Sequence, residues 1–249
     1  MPIFAMENLS KSFGGLKAIV DLSFGIEEKT INSLIGPNGA GKTTAFSLIT
    51  GFLKPDAGKV IFRGKEITGL PPYQIVNMGI ARTFQDVRVL NKLTVKENIL
   101  VGLRDTHQHG LIQAALKGKN LQREMVKKIE KLIEFVGLEG AANDLAENIS
   151  YAEQKLMILA RALATDANLL LLDEPASGLD QNSITRMMDL LRRLVEEGKT
   201  VLIVEHNMDV VIHISDYVVV LDFGQKIAAG TPGEIRCDQR VIQAYLGVC

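Results

Sequence analysis

The segment running from Ile31-Asn32-Ser33-Leu34-Ile35 through Gly36-Pro37-Asn38-Gly39-Ala40-Gly41-Lys42-Thr43-Thr44 constrains this chain more than any other. A short apolar run turns through three glycines and resumes with the helix formers Ala45-Phe46-Ser47-Leu48-Ile49, which reads as strand, loop and helix. Gly36 to Thr43 matches G-x-x-x-x-G-K-[ST] in that context. The chemistry requires these residue types. Glycines let successive backbone N–H groups curl around phosphate oxygens, the following helix turns its positive end toward them, Lys42 reaches the terminal phosphates, and the Thr43 hydroxyl suits Mg²⁺. A nucleotide is therefore the expected ligand, cradled by Gly36 to Thr44.

Two further runs, "NLLLLDEP" (168–175) and "TVLIVEH" (200–206), are apolar without alternation, as parallel strands covered on both faces should be. Between them "ITRMMDLLRRLVEEGK" has apolar residues at helical spacing, which completes a strand-helix-strand crossover. Asp173 and Glu174 close the first run, and neighbouring strand residues point to opposite sides. Asp173 is then expected to serve the metal shell, while Glu174 polarises the water that attacks the γ phosphate. From about 86 to 160 the pattern changes. Leu121, Met125, Ile129, Leu132, Ile133 and Val136 form one helical stripe flanked by Lys and Glu. The ends read as β-rich, "KVIFRGKEI" (59–67) and "YVVVLDFGQKIAAG" (217–230), the latter turning at Gly224.

These residues resemble an ABC transporter ATP-binding subunit over nearly the whole length. The resemblance implies a P-loop NTPase core of the α/β class, with a mostly parallel sheet, an N-terminal antiparallel β portion and an inserted helical subdomain. It implies a single domain, 1–249, with residues 1–85 and 161–249 as nucleotide-binding core and 86–160 as a helical insert ending in the signature loop. Phe13 matches the aromatic that stacks on adenine, the alternative being a core phenylalanine beside Gly14-Gly15. Gln85 in "ARTFQ" matches the glutamine that senses the γ phosphate through Mg²⁺ and water, and His206 the histidine that contacts that phosphate. Asp180 in Ser177-Gly178-Leu179-Asp180 matches the loop that crosses a dimer interface, and it also suits a helix N-cap. The resemblance thus implies Glu174, His206 and Gln85 as catalytic residues, Thr43, Gln85 and Asp173 around the metal, and ATP with Mg²⁺ as cofactors.

The signature loop, usually L-S-G-G-Q, here reads Ile149-Ser150-Tyr151-Ala152-Glu153. Ser150 is retained and a helix follows, so an N-terminus still points at an anion, and Ser150 and Ala152 join the implied nucleotide contacts. Both glycines are replaced. If the loop needs positive φ at 152, alanine is strained and this half-site is weakened; helical dihedrals there would tolerate the methyl group. Tyr151, "EITGLPP" (66–72), "GIARTFQ" (79–85), "VEHNMDVV" (204–211) and "VIQAYLG" (241–247) are similar to the branched-chain amino acid branch. That branch implies two ATPase subunits paired head to tail, integral membrane subunits that dock on the surface after Gln85 around 86–100, and an extracytoplasmic binding protein acting indirectly. It also implies a cytoplasmic location, peripheral on the inner face of the cell membrane.

Composition narrows the alternatives. With 28 Lys and Arg against 29 Asp and Glu, the basic excess of a nucleic-acid coat is absent, and no nucleic-acid partner is expected. No apolar run approaches the roughly 18 residues of a membrane span, no signal-peptide core is seen, and Cys237 and Cys249 follow no metal or disulfide pattern. His107 and His109, with only Asp105 nearby, do not make a metal site. The run 123–134 reads as a solvated helical face. A chromosome-type ATPase would need hundreds of heptad residues between Lys42 and Ser150, and a small-molecule phosphotransferase would not need Gln85, Glu174 and His206 together. A lipid or lipopolysaccharide exporter ATPase is the nearest rival.

Overall fold

The computed structural model describes residues 2–85, 88–103 and 118–246, with the side chains of 118–122 and 246 outside that description. The Asp105, His107 and His109 cluster and Cys249 lie outside the described residues, as does the side chain of Leu121.

The chain opens with an antiparallel hairpin, β1 (Phe4–Phe13) and β2 (Leu16–Ile26), and enters β3 (Ile31–Ile35), the phosphate loop and α1 (Lys42–Ile49). β4 (Ala57–Phe62), β5 (Lys65–Glu66), α2 (Pro72–Met78) and β6 (Ile80–Arg82) lead to a helical region of α3 (Val95–Leu100), α4 (Gly118–Val136) and α5 (Tyr151–Leu163). The crossover β7 (Leu169–Asp173), α6 (Gln181–Glu196), β8 (Thr200–Val204) comes next, then α7 (Met208–Ile214), β9 (Tyr217–Asp222), β10 (Gln225–Gly230), α8 (Pro232–Cys237) and α9 (Gln239–Leu246). Two sheets result, ordered β2-β1-β4-β5 and β10-β9-β3-β8-β7-β6. The first is antiparallel throughout; in the second only the β9–β10 hairpin is.

Burial explains the unbroken apolar strands. Leu169 and Leu171 of β7 share a cluster with Phe46 and Ile49 of α1 and Phe4 and Leu22 of the antiparallel sheet. Leu170 and Leu172 face the other way, against Ile133 of α4, Leu159 of α5 and Leu190 of α6. Alternate residues therefore meet different apolar layers, and no polar face remains. The helical stripe packs as its period requires, with Ile129, Ile133 and Val136 buried. Its charged side is not merely solvated, because Lys128 crosses to Asp166 and the Ala164 carbonyl. The boundary expected at 160 falls inside α5, whose apolar face joins the sheet cluster and makes insert and core one packed unit.

The Phe223-Gly224 turn of the β9–β10 hairpin, with φ of 42° and 77°, backs the phosphate loop. The Gly224 N–H donates to the Ala40 carbonyl at 3.0 Å, and the Gly224 carbonyl accepts from Val20 at 2.8 Å. A Cβ at Gly224 would lie 2.5 Å from the Ala18 carbonyl oxygen. Gly224→Ala is accordingly expected to destabilise the fold by about 1–3 kcal/mol, the usual range for a residue held in a sparsely populated backbone region. Denaturant unfolding measures this, and wild-type stability in the variant would show that the hairpin yields without resistance.

Candidate active site

Strand register brings the chemistry together. In the parallel sheet Leu34 pairs with Val204, and Val204 with Asp173, so three adjacent strands end at one level. The next residues are the phosphate loop, Glu174, and Glu205-His206.

The loop's backbone carries the needed freedom, with φ of 152° at Gly36, 81° at Gly39 and 102° at Gly41. Gly41 is the N-cap of α1 and no side chain caps this helix, leaving its leading N–H groups available to an anion. Lys42 is buried, and its Nζ donates to the carbonyls of Gly36 at 2.7 Å and Pro37 at 2.9 Å. Burial lowers its pKa, an effect opposed by the nearby carboxylates of Glu174 and Asp173.

Only one of the two acids belongs to the strand. Asp173 ends β7, whereas Glu174 takes φ of 49°, so a left-handed turn and not strand alternation separates them. That conformation is doubly unusual, because Pro175 follows and residues before proline favour extended backbone. The Glu174 carboxylate is flanked on both oxygens: Oε2 accepts from Gln85 Nε2 at 3.0 Å, and Oε1 lies 2.8 Å from His206 Nε2. Gln85, Glu174 and His206, far apart in sequence, thus meet at one carboxylate.

Three residues that sequence reasoning missed complete the centre. Arg82 Nη2 pairs with Asp173 Oδ2 at 3.1 Å, both side chains being almost wholly buried, and Nη1 reaches Ser47 and Thr50 of α1. Register explains the pair, since Arg82 lies opposite Leu171, two positions before Asp173 on the same face. Burial raises the Asp173 pKa and Arg82 pulls it back. Glu205 is 2% exposed and accepts the Ala176 N–H at 2.8 Å and the His206 N–H at 3.2 Å; burial raises its pKa as well. Lys155 of α5 donates to the Glu174 carbonyl at 2.6 Å. The readable signal was a charged residue bordering an apolar run: Arg82 at the end of β6, Glu205 directly after β8, and Lys155 directly before the run Leu156 to Ala160 of α5.

Phe13 is 45% exposed at the end of β1, which rules out the core alternative. Asp56 anchors it by accepting from Lys11 Nζ and the Ser12 N–H, each at 2.7 Å. Ser150 is the N-cap of α5 in a capping box with Glu153, and Asp180 is the N-cap of α6. Ala152 has no positive φ, because the helix has already begun there; the strain considered for it is absent, and only the bulk of its methyl group distinguishes it from glycine. Ser150, Ala152, Leu179 and Ser183 line a recess of their own, and among the described residues no hydrogen bond or ion pair joins Ser150, Ala152 or Asp180 to the phosphate loop. One chain therefore does not bring all the expected contacts together.

Arg82→Met is expected to destabilise by about 3–5 kcal/mol at neutral pH, because it strands a buried carboxylate. A raised folded-state carboxyl contributes stability that is full below the ordinary Asp range and lost as pH rises through the raised value. The variant's deficit against wild type should therefore shrink as pH falls through that value and Asp173 takes up its proton. Unfolding midpoints across that window check this, and a pH-independent deficit would show that packing, not the Asp173 charge, is what Arg82 serves.

Comparison with known proteins agrees with this geometry. Residues 19–177 match the ABC transporter family, and residues 225–248 match the family described as branched-chain amino acid ATP-binding cassette transporter. The chain is 41% identical to the high-affinity branched-chain amino acid transport ATP-binding protein LivG of Salmonella typhimurium, over 99% of this chain and 98% of that protein. Its fold is similar to the ADP conformation of MJ1267, an ATP-binding cassette of an ABC transporter, with TM-score 0.88, 34% identity and full coverage of both chains. It is also similar to a dimeric post-hydrolysis state of the cassette MJ0796 bound to ADP and Pi, with TM-score 0.78 and 25% identity over 92% of this chain and 98% of that one. This chain belongs to the ABC transporter family as an ATP-binding cassette, an ATPase that powers transport in concert with membrane subunits.

Proposed function

We propose that this chain is the ATP-hydrolysing subunit of an importer for branched-chain amino acids, and that hydrolysis is run by Glu174 with Gln85 and His206 at the edge of the parallel sheet. The observation that carries the reading is the Glu174 carboxylate held between Gln85 and His206 beside Lys42. The substrate class is supported by the LivG relationship and by the separate match of the C-terminal segment.

In this reading the phosphate loop from Gly36 to Thr44 binds the phosphates through backbone N–H groups and Lys42, and the exposed ring of Phe13 offers a face to the adenine. The oxygen donors suit Mg²⁺, which takes one or two carboxylates and completes its shell with phosphates and water. Arg82 engages Asp173 Oδ2, so Asp173 Oδ1, the Thr43 hydroxyl and the Gln85 amide oxygen are the groups that would hold the cation. When bound, the ion neutralises charge on the β and γ phosphates. Glu174 then orients the attacking water and accepts its proton, and His206 donates toward the γ phosphate.

The separate recess at Ser150, Ala152 and Leu179 supports a head-to-tail pairing, in which each nucleotide lies between one chain's phosphate loop and the partner's signature loop. A cleft of about 220 Å³ lined by Phe84, Arg88 and Arg161 supports docking of a membrane subunit's cytoplasmic helix there. Among the described residues no helix is long and apolar enough to cross a membrane, so a partner must supply the span. The chain then lies on the inner face of the membrane, and an extracytoplasmic binding protein delivers the amino acid to the membrane subunits.

Glu174→Gln is expected to keep ATP binding nearly intact while lowering single-turnover hydrolysis at least about 10²-fold. Lys42→Ala should act oppositely, weakening ATP binding itself by about 1.5–3 kcal/mol through loss of a charge-assisted phosphate contact. Both are measured in the assembled transporter; wild-type hydrolysis by the first variant, or wild-type affinity in the second, would refute the assignment. Uptake of labelled leucine, isoleucine or valine by vesicles carrying the complex tests the substrate class.

A further inference from the structure

Glu174 holds φ of 49° ahead of a proline, a backbone state that persists only where its surroundings enforce it. Its N–H is held by the Val204 carbonyl at 2.9 Å, and its carbonyl accepts from Ser177 at 3.2 Å and from Lys155 Nζ at 2.6 Å. Lys155 is the one side chain among the described residues that bonds this carbonyl. It lies one helical turn before Leu159 on the buried face of α5, where a lysine is costly, and it is itself only 8% exposed. Its ammonium sits 5.5 Å from the centre of the Tyr151 ring and near the carboxylates of Glu205, Glu174 and Asp173. A buried cation retained at this cost, aimed at the backbone oxygen of one strained residue, fixes where the Glu174 side chain leaves the chain.

We infer that Lys155 is a positioning residue for hydrolysis: by gripping the Glu174 carbonyl, it sets the left-handed turn that aims the Glu174 carboxylate between Gln85 and His206. Among the described residues Lys155 makes no hydrogen bond or ion pair to the phosphate loop or to Asp173, whose carboxylate it meets only through the shared field, so its loss is expected to displace the Glu174 carboxylate and leave the contacts of the nucleotide cradle in place. The inference rests on the reading of Glu174 given above.

The test uses the full-length chain assembled with its membrane subunits. Lys155→Met is expected to lower single-turnover ATP hydrolysis at least about tenfold with the ATP dissociation constant changed by less than about twofold, as a misplaced catalytic group does. Lys155→Arg, which keeps a charged donor, should recover most of the rate, and in a Glu174→Gln background Lys155→Met should have no further effect. A wild-type rate in Lys155→Met, a loss of ATP affinity matching the loss of rate, or a second full decrement on top of Glu174→Gln would each overturn the inference. If Lys155→Met does not fold, Lys155→Gln is judged by the same criteria. If Glu174→Gln itself hydrolyses ATP normally, the reading of the site fails and this inference with it; if Glu174→Gln is impaired and Lys155→Met is not, only the role of Lys155 fails.

Discussion

Parallel pairing of β3, β8 and β7 in one register is the constraint on which the rest of this molecule depends. With Leu34, Val204 and Asp173 level, the three chains emerge together at the carboxyl edge of the sheet. Parallel strands need crossovers, so each exit leads into a helix or a sharp turn, and the phosphate loop, the Glu174 turn and the Glu205-His206 segment converge without any side chain directing them there. A slip of one residue would turn Arg82 away from the face that carries Asp173 and set Glu174 at a different level from the phosphate loop.

The edge so formed concentrates buried charge. Lys42, Arg82 and Lys155 lie among Asp173, Glu174 and Glu205, and burial is the largest influence on each titration that is displaced: the lysines and the arginine move down, Asp173 and Glu205 move up. Such charges are tolerable only when hydrogen-bonded or paired: Arg82 pairs with Asp173 and Glu174 with His206, Lys42, Lys155 and Glu205 are held by backbone groups, and Arg82 Nε alone among these groups is left buried without a partner among the described residues. Clustered displaced titrations of this sort mark sites where chemistry is done more often than sites that merely hold a fold together. The mixed signs also explain why the chain's near-neutral net charge conceals a strongly structured local field.

The altered signature loop has its own local logic. Tyr151, where the family pattern has glycine, packs against Gly178, where a Cβ would come within 3.0 Å of the Tyr151 ring. A large residue on one loop is thus matched by the absence of a side chain on the other, and Gly178, with φ of 76°, precedes the Asp180 cap of α6. Tyr151 also faces the Lys155 ammonium, so one ring contacts both the segment leading to α6 and the lysine that grips Glu174.

The amino-acid sequence by itself determined whatever depends on neighbours along the chain. The strand, glycine loop and helix from Ile31 to Ile49 were legible because positive φ and helix formation are local preferences; the two-sided burial of β7 was legible in its unbroken leucines; Asp180 was legible as a cap from its side chain, and the helix after Ser150 from its residues. Motif order along the chain pointed to Gln85, Glu174 and His206, but only the tertiary structure brought them to one carboxylate. Arg82 meets Asp173 across 91 positions, and Lys155 meets the Glu174 carbonyl across 19. The helical backbone at Ala152 and the left-handed turn at Glu174 were likewise settled by what surrounds them. The physical reason is that local preferences amount to about 1 kcal/mol per residue, whereas the choice of partner for a buried charge is worth several, and that choice is made only when distant strands pack in register.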